Sequence, residues 1–290
     1  MQKFAAMHGS PTPSSASSAD LPTRSIARWR MPLLLKASLA CHAGAGALAI
    51  THPALWPWAL GAVALDHALI TGAGLWPRST ALGANLLRLP PASIARTEVA
   101  LTIDDGPDPE LTPRVLDLLD GHRARATFFC IAQRAEQHPA LCREIVRRGH
   151  SVQNHSFRHA HTFSMLGPAA LRREIALAQD ALAQVTGLRP RYFRAPAGLR
   201  NLFLDPVLHA LELRLVTWTR RGFDTRRRDS ADVLARLTRD LRAGDILLLH
   251  DHHCAVTAGN EAVTLAVLPG LLQKFERAGL RAVTLPEALA

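Results

Sequence analysis

Two adjacent acids, Asp104 and Asp105, have the chemistry needed to bind a metal ion and to activate a water molecule. Adjacent side chains diverge, so one carboxylate can bind an ion while the other lies beside a water. The Gly106-Pro107 pair that follows lets the chain turn away sharply. Taken alone, the segment is also compatible with a strand exit that carries ordinary turn residues.

Two histidines, His155 and His159, lie four residues apart. On one helical turn, that spacing would let both rings reach a single ion. A histidine pair alone is often a coincidence. Together with Asp105, however, the pair forms a set of two imidazoles and one carboxylate with open positions, which is typical of a catalytic metal site. His161 is predicted to be a surface residue.

Two further polar residues follow apolar runs. Arg194 can hold a carboxylate through paired hydrogen bonds, although a surface arginine before a turn would fit the sequence equally well. His250 can act as a general acid if a neighbour keeps it protonated, or it can simply cap a strand. His252 and His253 are expected in a solvated loop, from which they could touch a substrate.

The sequence that must position these residues alternates between short apolar runs, which predict strands, and longer stretches with a helical period, which predict helices. The predicted strands are Val99–Ile103, Ala126–Ile131, Ser151–Gln153, Arg191–Phe193, Leu213–Thr217, Ile246–Leu249 and Arg281–Thr284. The predicted helices are Pro113–Gly121, Ala135–Arg148, Pro168–Thr186, Asp205–Leu211, Ser230–Arg242 and Ala262–Ala278. This alternation indicates a parallel sheet, either barrel-like or doubly wound.

In both folds the chemistry gathers at the carboxyl ends of the strands. The polar residues at those ends are Asp104, Asp105, Asn154, His155, Arg194, Trp218, Asp224, His250 and Asp251. We therefore expect them to line one crevice.

Residues 98–289 resemble the polysaccharide deacetylases of carbohydrate esterase family four, also called the NodB homology domain. Three of the family motifs are carried by the segments 102–107, 155–159 and 194–198, and the motif ending Leu-x-His is met by Leu248 and His250. Ile103 replaces a phenylalanine of the first motif, and Ala197 stands where an aromatic residue is usual. In the remaining motif, Trp218 and Asp224 are kept, whereas Arg221 and Thr225 replace an aspartate and a tryptophan. In the family, the two replaced positions belong to the region that forms the wall of the acyl pocket and the substrate groove.

The resemblance implies a distorted (β/α) barrel of about seven parallel strands and a role for each residue. The implied ligands of a divalent metal, expected to be Zn²⁺, are Asp105, His155 and His159. Asp104 is the implied base, Arg194 positions it, and His250, paired with Asp224, protonates the leaving amine. Leu248 is expected to line the acyl pocket, and a backbone N–H near Ala197 to stabilise the oxyanion. No site for another cofactor is predicted.

The chain before this domain divides into three predicted parts: a disordered basic tail (1–30), a membrane-anchoring helical hairpin (31–78) and a linker (79–97). The two apolar stretches of the hairpin are each near the ~20 residues that cross a bilayer. Arginines flank the pair while the short link between them has no basic residue, which predicts a cytoplasmic catalytic domain (98–290) at the inner membrane. A single span with a periplasmic domain and a soluble helical pair are the alternatives.

The charge distribution limits the kinds of binding partner that the sequence predicts, and the cysteines indicate the redox compartment. The net charge is +10, but acids are interspersed among the arginines. No basic face is evident, so no nucleic-acid partner is predicted. The four cysteines form no C-x-x-C pair, which favours a reducing compartment.

The predicted function is metal-dependent removal of an N-acetyl or other N-acyl group from an amino sugar in a polysaccharide or oligosaccharide. One alternative is a deacylase or deformylase of a lipid-linked sugar at the membrane. An alternative of another class is a membrane-anchored carbohydrate-binding protein with a dead site. The presence of every metal-ligand and acid–base position argues against that last hypothesis.

Overall fold

The computed structural model describes residues 29–290. The predicted disordered tail therefore lies outside the described residues, except for Trp29 and Arg30.

Within residues 29–290, eight strands form one sheet. They are β1 (Glu98–Asp104), β2 (Ala126–Cys130), β3 (Ser151–Asn154), β4 (Tyr192–Phe193), β5 (Arg214–Leu215), β6 (Arg220–Arg221), β7 (Ile246–His250) and β8 (Arg281–Ala282). Seven strands pair in parallel in the order β5-β4-β3-β2-β1-β7-β6, and β8 pairs with the start of β1. The seven-stranded path is a curled half-barrel, which confirms the predicted fold class. Strand β6 was not predicted, because its sequence is two arginines.

Eleven α-helices accompany the strands in the part of the chain that the structure describes. They are α1 (Leu33–Thr51), α2 (Trp56–Leu75), α3 (Pro91–Ala95), α4 (Leu111–Gly121), α5 (Ala132–Gln137), α6 (Pro139–Arg147), α7 (Pro168–Thr186), α8 (Leu204–Ala210), α9 (Ser230–Thr238), α10 (Val263–Arg277) and α11 (Leu285–Ala288). The single helix predicted at Ala135–Arg148 is wrong, because Pro139 lacks an N–H and starts a new helix after His138.

Strand β1 shows how the sheet separates core from site. Its side chains alternate between the two faces. Leu101 and Ile103 pack in the main apolar cluster, together with Leu247 and Leu249 of the neighbouring β7. Thr102 and Asp104 point to the other face, inside the half-barrel. The register that buries the leucines therefore also delivers Asp104 to the interior.

The segment predicted to be a linker crosses the open side of the half-barrel. The N–H of Leu86 donates to Leu215 O, and Leu86 O accepts from Thr217 N–H. Farther along, Leu89 N–H donates to Gly244 O just before β7. Leu82 and Leu89 are buried. The segment is thus hydrogen-bonded to the end of β5 and to the turn before β7 instead of running free.

Helices α1 and α2 pack together and leave much of their apolar surface uncovered. Leu33 is 81% exposed, Ile50 80% and Trp58 76%. Both helical stretches are long and apolar enough to cross a membrane by length and composition. Between them, Ser38 Oγ donates to Asp66 Oδ2 over 2.7 Å. Ser38 and Asp66, both buried, are therefore satisfied against each other.

Candidate active site

Asp105, His155 and His159 converge on one point at the carboxyl ends of β1 and β3. The Nε2 atoms of both histidines lie 3.3 Å from Asp105 Oδ1. The expectation that the histidines share a helical turn is wrong. They lie in a loop after β3 in which Ser156 and His159 have φ of 67° and 54°, and this left-handed backbone folds His159 back toward His155.

The three side chains fit a divalent ion. Asp105 Oδ1 is buried and has no hydrogen-bond partner, so it needs an electropositive neighbour. A tetrahedral ion with ligand bonds of 2.0–2.1 Å holds its ligand atoms roughly 3.3 Å apart, which matches the spacing found here. His155 Nδ1 lies 2.8 Å from Arg194 O, a contact that assigns its proton and leaves Nε2 free to coordinate. Burial lowers the pKa of His159 to about 4, which favours the neutral ring that a metal ligand needs.

Asp104 is held by a buried arginine. Nη1 of Arg194 donates to Asp104 Oδ1 over 2.7 Å and to Thr102 Oγ1 over 2.8 Å. Nη2 donates to Thr217 O over 2.9 Å. Arg194 has no exposed surface, and burial lowers its pKa while Asp104 opposes that shift. Asp104 Oδ2, 3.8 Å from His155 Nε2, is left facing the metal ligands.

His250 enters the site from β7 and is paired with Asp224. His250 Nδ1 lies 3.0 Å from Asp224 Oδ1, and the backbone N–H of His250 donates to Asp224 Oδ2 over 2.8 Å. Thr264 Oγ1 donates to the same Oδ2 over 3.1 Å. Burial alone would lower the pKa of His250, but the Asp224 carboxylate outweighs it and raises the pKa to about 9. The Asp224 carboxylate therefore favours the protonated ring.

Asp251 lies beneath the turn that carries Asp105. It is fully buried and accepts a hydrogen bond from Thr112 Oγ1. Burial and the charges of Asp105 and Asp108 raise its pKa to about 7. A Cβ at Gly106 would lie 2.3 Å from Asp251 Oδ1, so only glycine fits there. Asp251 supports the turn and does not face the crevice as expected.

The loop after β4 carries Ala197, which has a left-handed φ of 54°. The next residue, Gly198, has φ of 75°, and a Cβ on it would lie 2.6 Å from Trp218 and 2.8 Å from Pro77. The loop is thus wedged between the site and the end of α2. Leu248 is buried on β7, on the strand face that also carries His250. The roles of Ala197 and Leu248 stay predictions.

A cavity of about 570 Å³ opens beside the candidate metal ligands. It is lined by Asp105, Ile131, Gln133, Arg134, Gln137, Arg158, His159, His161 and His253. His253 is exposed, as expected for a residue of a solvated loop, and its Nδ1 lies 3.9 Å from Asp105 Oδ2. His252 pairs with Asp108 over 2.7 Å. Their place after the carboxyl end of β7 was the signal that could have pointed to the site.

Comparisons with known proteins all lead to one enzyme family. A family model described as polysaccharide deacetylase matches residues 93–216. A peptidoglycan-N-acetylglucosamine deacetylase of Bacillus cereus is 32% identical over 66% of this chain and 87% of its own length. A chitooligosaccharide deacetylase of Azorhizobium caulinodans is 31% identical over 66% of this chain and 94% of its own length. The solved family 4 carbohydrate esterase of Streptomyces lividans is 34% identical with a TM-score of 0.58, and covers 64% of this chain and 91% of that one.

The half-barrel and the cluster at its carboxyl end define a hydrolase of the carbohydrate deacetylase class. The chain belongs to the polysaccharide deacetylase family. It is a hydrolase that acts on amide carbon–nitrogen bonds of carbohydrates.

Proposed function

We propose that the protein is a divalent-metal-dependent N-deacetylase of an amino sugar in a polysaccharide or oligosaccharide. The observation that carries this proposal is the approach of two imidazole nitrogens to the unpartnered Oδ1 of Asp105, at 3.3 Å each. The relatives named above act on peptidoglycan N-acetylglucosamine and on chitooligosaccharides, which supports an N-acetylated amino sugar as the substrate. Zn²⁺ is the ion that this donor set favours.

Asp105, His155 and His159 would hold the ion, which supplies a Lewis acid that polarises the amide carbonyl and acidifies water. Asp104 accepts the proton of the attacking water. Arg194 neutralises part of the charge of Asp104 and fixes its orientation, so that Oδ2 stays directed at the ligands.

The second proton transfer belongs to His250. An amine is a poor leaving group until it is protonated, and a protonated imidazole can donate that proton. Asp224 keeps His250 charged and oriented through Nδ1, which leaves Nε2 to face the substrate. The backbone N–H of Ala197 stabilises the oxyanion, and Leu248 lines the acyl pocket. The left-handed backbone at Ala197 turns this N–H away from the hydrogen bonds of regular secondary structure.

We propose further that α1 and α2 form a hairpin across the cell membrane. Their uncovered apolar side chains need a nonpolar partner, and the Ser38–Asp66 hydrogen bond reduces the cost of burying these two polar side chains. The link Thr51–Pro53 carries no basic residue, whereas Arg30 and Arg78 flank the hairpin. By the positive-inside rule the catalytic domain (98–290) is cytoplasmic. A single span would instead place it in the periplasm.

One observation favours a second candidate function, deacylation or deformylation of a sugar on a membrane lipid. The end of α2 touches the loop that carries the site: Arg200 N–H donates to Gly74 O over 3.1 Å, and Gly198 packs on Pro77. With α2 across the bilayer, the catalytic centre lies at the membrane surface, within reach of a lipid-linked sugar.

The test uses the full chain, purified in detergent and incubated with chitooligosaccharides and with a lipid extract. We expect release of acetate or another acyl product, loss of release after chelation, and recovery with Zn²⁺. Turnover that survives complete metal removal would contradict the mechanism. Sugar binding without turnover in the metal-loaded protein would instead favour the binding-protein alternative.

A further inference from the structure

A second cavity, of about 610 Å³, lies between the end of α2, strand β6 and helix α9. It is lined by Trp76, Pro77, Arg78, Trp218, Thr219, Arg220, Arg221, Phe223, Asp232, Ala235, Arg236 and Arg239. Trp218 connects this cavity to the catalytic centre, because its ring lies 5.9 Å from the guanidinium of Arg194 and 5.1 Å from that of Arg221. The cavity and the catalytic centre are therefore neighbours, and the buried Trp218 side chain adjoins both.

Arg221 has donors that the fold leaves unused. Its guanidinium lies 5.1 Å from the ring of Trp218 and 5.0 Å from that of Phe223, so two aromatic side chains hold it. Its Nε is buried and has no hydrogen-bond partner. The adjacent Arg220 differs, since its Nε donates to Asp245 Oδ2 over 2.8 Å. A partly buried cation with an unmet donor is costly, and an anion bound in the cavity would offset that cost.

The remaining charges of the cavity indicate the kind of anion. Five arginines line it, against the single acid Asp232, which is already engaged by Arg236 at 3.1 Å and by Arg227. Arg78 and Arg239 are exposed at its rim. A planar guanidinium donates two parallel hydrogen bonds to phosphate oxygens, and several positive charges suit a phosphate better than a neutral sugar.

We propose that Arg221 binds a phosphate group of the substrate, so that the enzyme deacylates an amino sugar that carries a phosphate ester. This proposal rests on the proposed function and narrows its substrate class. Trp76 and Arg78 follow directly on α2, so with α2 across the bilayer the cavity faces the headgroup region. A sugar linked through phosphate to a lipid and a soluble sugar phosphate share this chemistry, and the experiment separates them.

The experiment measures kcat/KM of the full-length, metal-loaded protein in detergent for N-acetylglucosamine 1-phosphate and for methyl N-acetylglucosaminide. We expect a preference of about tenfold or more for the phosphate, as hydrogen bonds to a charged group contribute on that order. Arg221→Gln should reduce this ratio about tenfold, and Arg221→Lys should restore part of it. Arg173→Gln makes the same charge change on the exposed face of α7 and should leave the ratio unaltered. Equal rates for the two sugars, or a preference that survives in Arg221→Gln, overturns the proposal.

Calorimetric binding of the same two sugars decides the inference even where neither is turned over. Weaker binding of the 1-phosphate by Arg221→Gln supports it, and unchanged binding contradicts it.

A third arm presents N-acetylglucosamine linked to a short prenyl phosphate in vesicles. Faster turnover of this compound identifies the lipid as the source of the phosphate, and faster turnover of the soluble sugar identifies the sugar phosphate. Failure of the proposed function would look different, because no acyl product would then appear from any sugar, chitooligosaccharides included.

Discussion

Nη1 of Arg194 lies 2.7 Å from Oδ1 of Asp104, and both side chains are almost wholly buried. Each charge offsets the cost of burying the other. The pair therefore links the stability of the half-barrel to the position of the proposed base.

Arg194→Met should destabilise the fold by about 3 to 5 kcal/mol, because it leaves Asp104 as an uncompensated buried charge. The free energy of unfolding from denaturant titration measures this. The double variant Asp104→Asn/Arg194→Met should be less destabilised than the sum of the two single variants, since no lone charge remains. Additive effects would mean that the two side chains do not depend on each other.

Asp104→Asn should keep the bound metal and lose turnover by about 10²- to 10⁴-fold, because the amide cannot accept the proton while the three ligands remain. Metal content by mass spectrometry and acyl release together measure this. Loss of metal from the variant would show that Asp104 is a ligand and that its role and that of Asp105 have been exchanged.

His155→Ala should abolish stoichiometric binding of a divalent ion, because it removes one of the imidazole nitrogens 3.3 Å from Asp105 Oδ1. Equilibrium dialysis with Zn²⁺ gives the stoichiometry. His161→Ala, an exposed histidine in the same cavity, serves as the matched control and should retain the ion. Equal loss in both variants would place the ion elsewhere.

In a plot of kcat against pH, the decline at high pH (the basic limb) should follow His250, which can no longer act as an acid once pH rises through its pKa of about 9. Asp224→Asn removes the charge that raises this pKa, so the decline should move to lower pH. By linkage, the His250–Asp224 pair stabilises the fold fully below about pH 6.5 and loses that contribution as pH rises through about 9. Thr264→Val removes the hydroxyl that contacts Asp224 Oδ2 and His250 O but changes no charge, so it should shift the limb less. An unmoved limb in Asp224→Asn would assign it to another group.

Reporter fusions placed after Arg78 test the topology of the hairpin. A cytoplasmic signal is expected, since Arg30 and Arg78 flank the two helices and the link between them carries no basic residue. A fusion in the link Thr51–Pro53 should give the opposite signal. A periplasmic signal after Arg78 would support a single span.

The sequence by itself determined the strand ends and the residues that follow them. Apolar runs specify β1 and β7, and the strand predicted at Ser151–Gln153 corresponds to β3. Because parallel strands bring their carboxyl ends together, Asp105, His155 and His250 could be predicted to meet. The family motifs added a role for each residue.

Tertiary structure alone decided the rest. The left-handed turn that folds His159 onto Asp105, the strand pairing of Leu86 across the half-barrel, and the contact of Pro77 with Gly198 all join residues whose local sequence favours no such geometry. The same holds for Arg221, which the sequence presents only as a substitution within a motif. Only the structure shows that Trp218 and Phe223 flank its guanidinium and that its Nε has no hydrogen-bond partner. Such contacts depend on how the whole core packs, and no local sequence period predicts them.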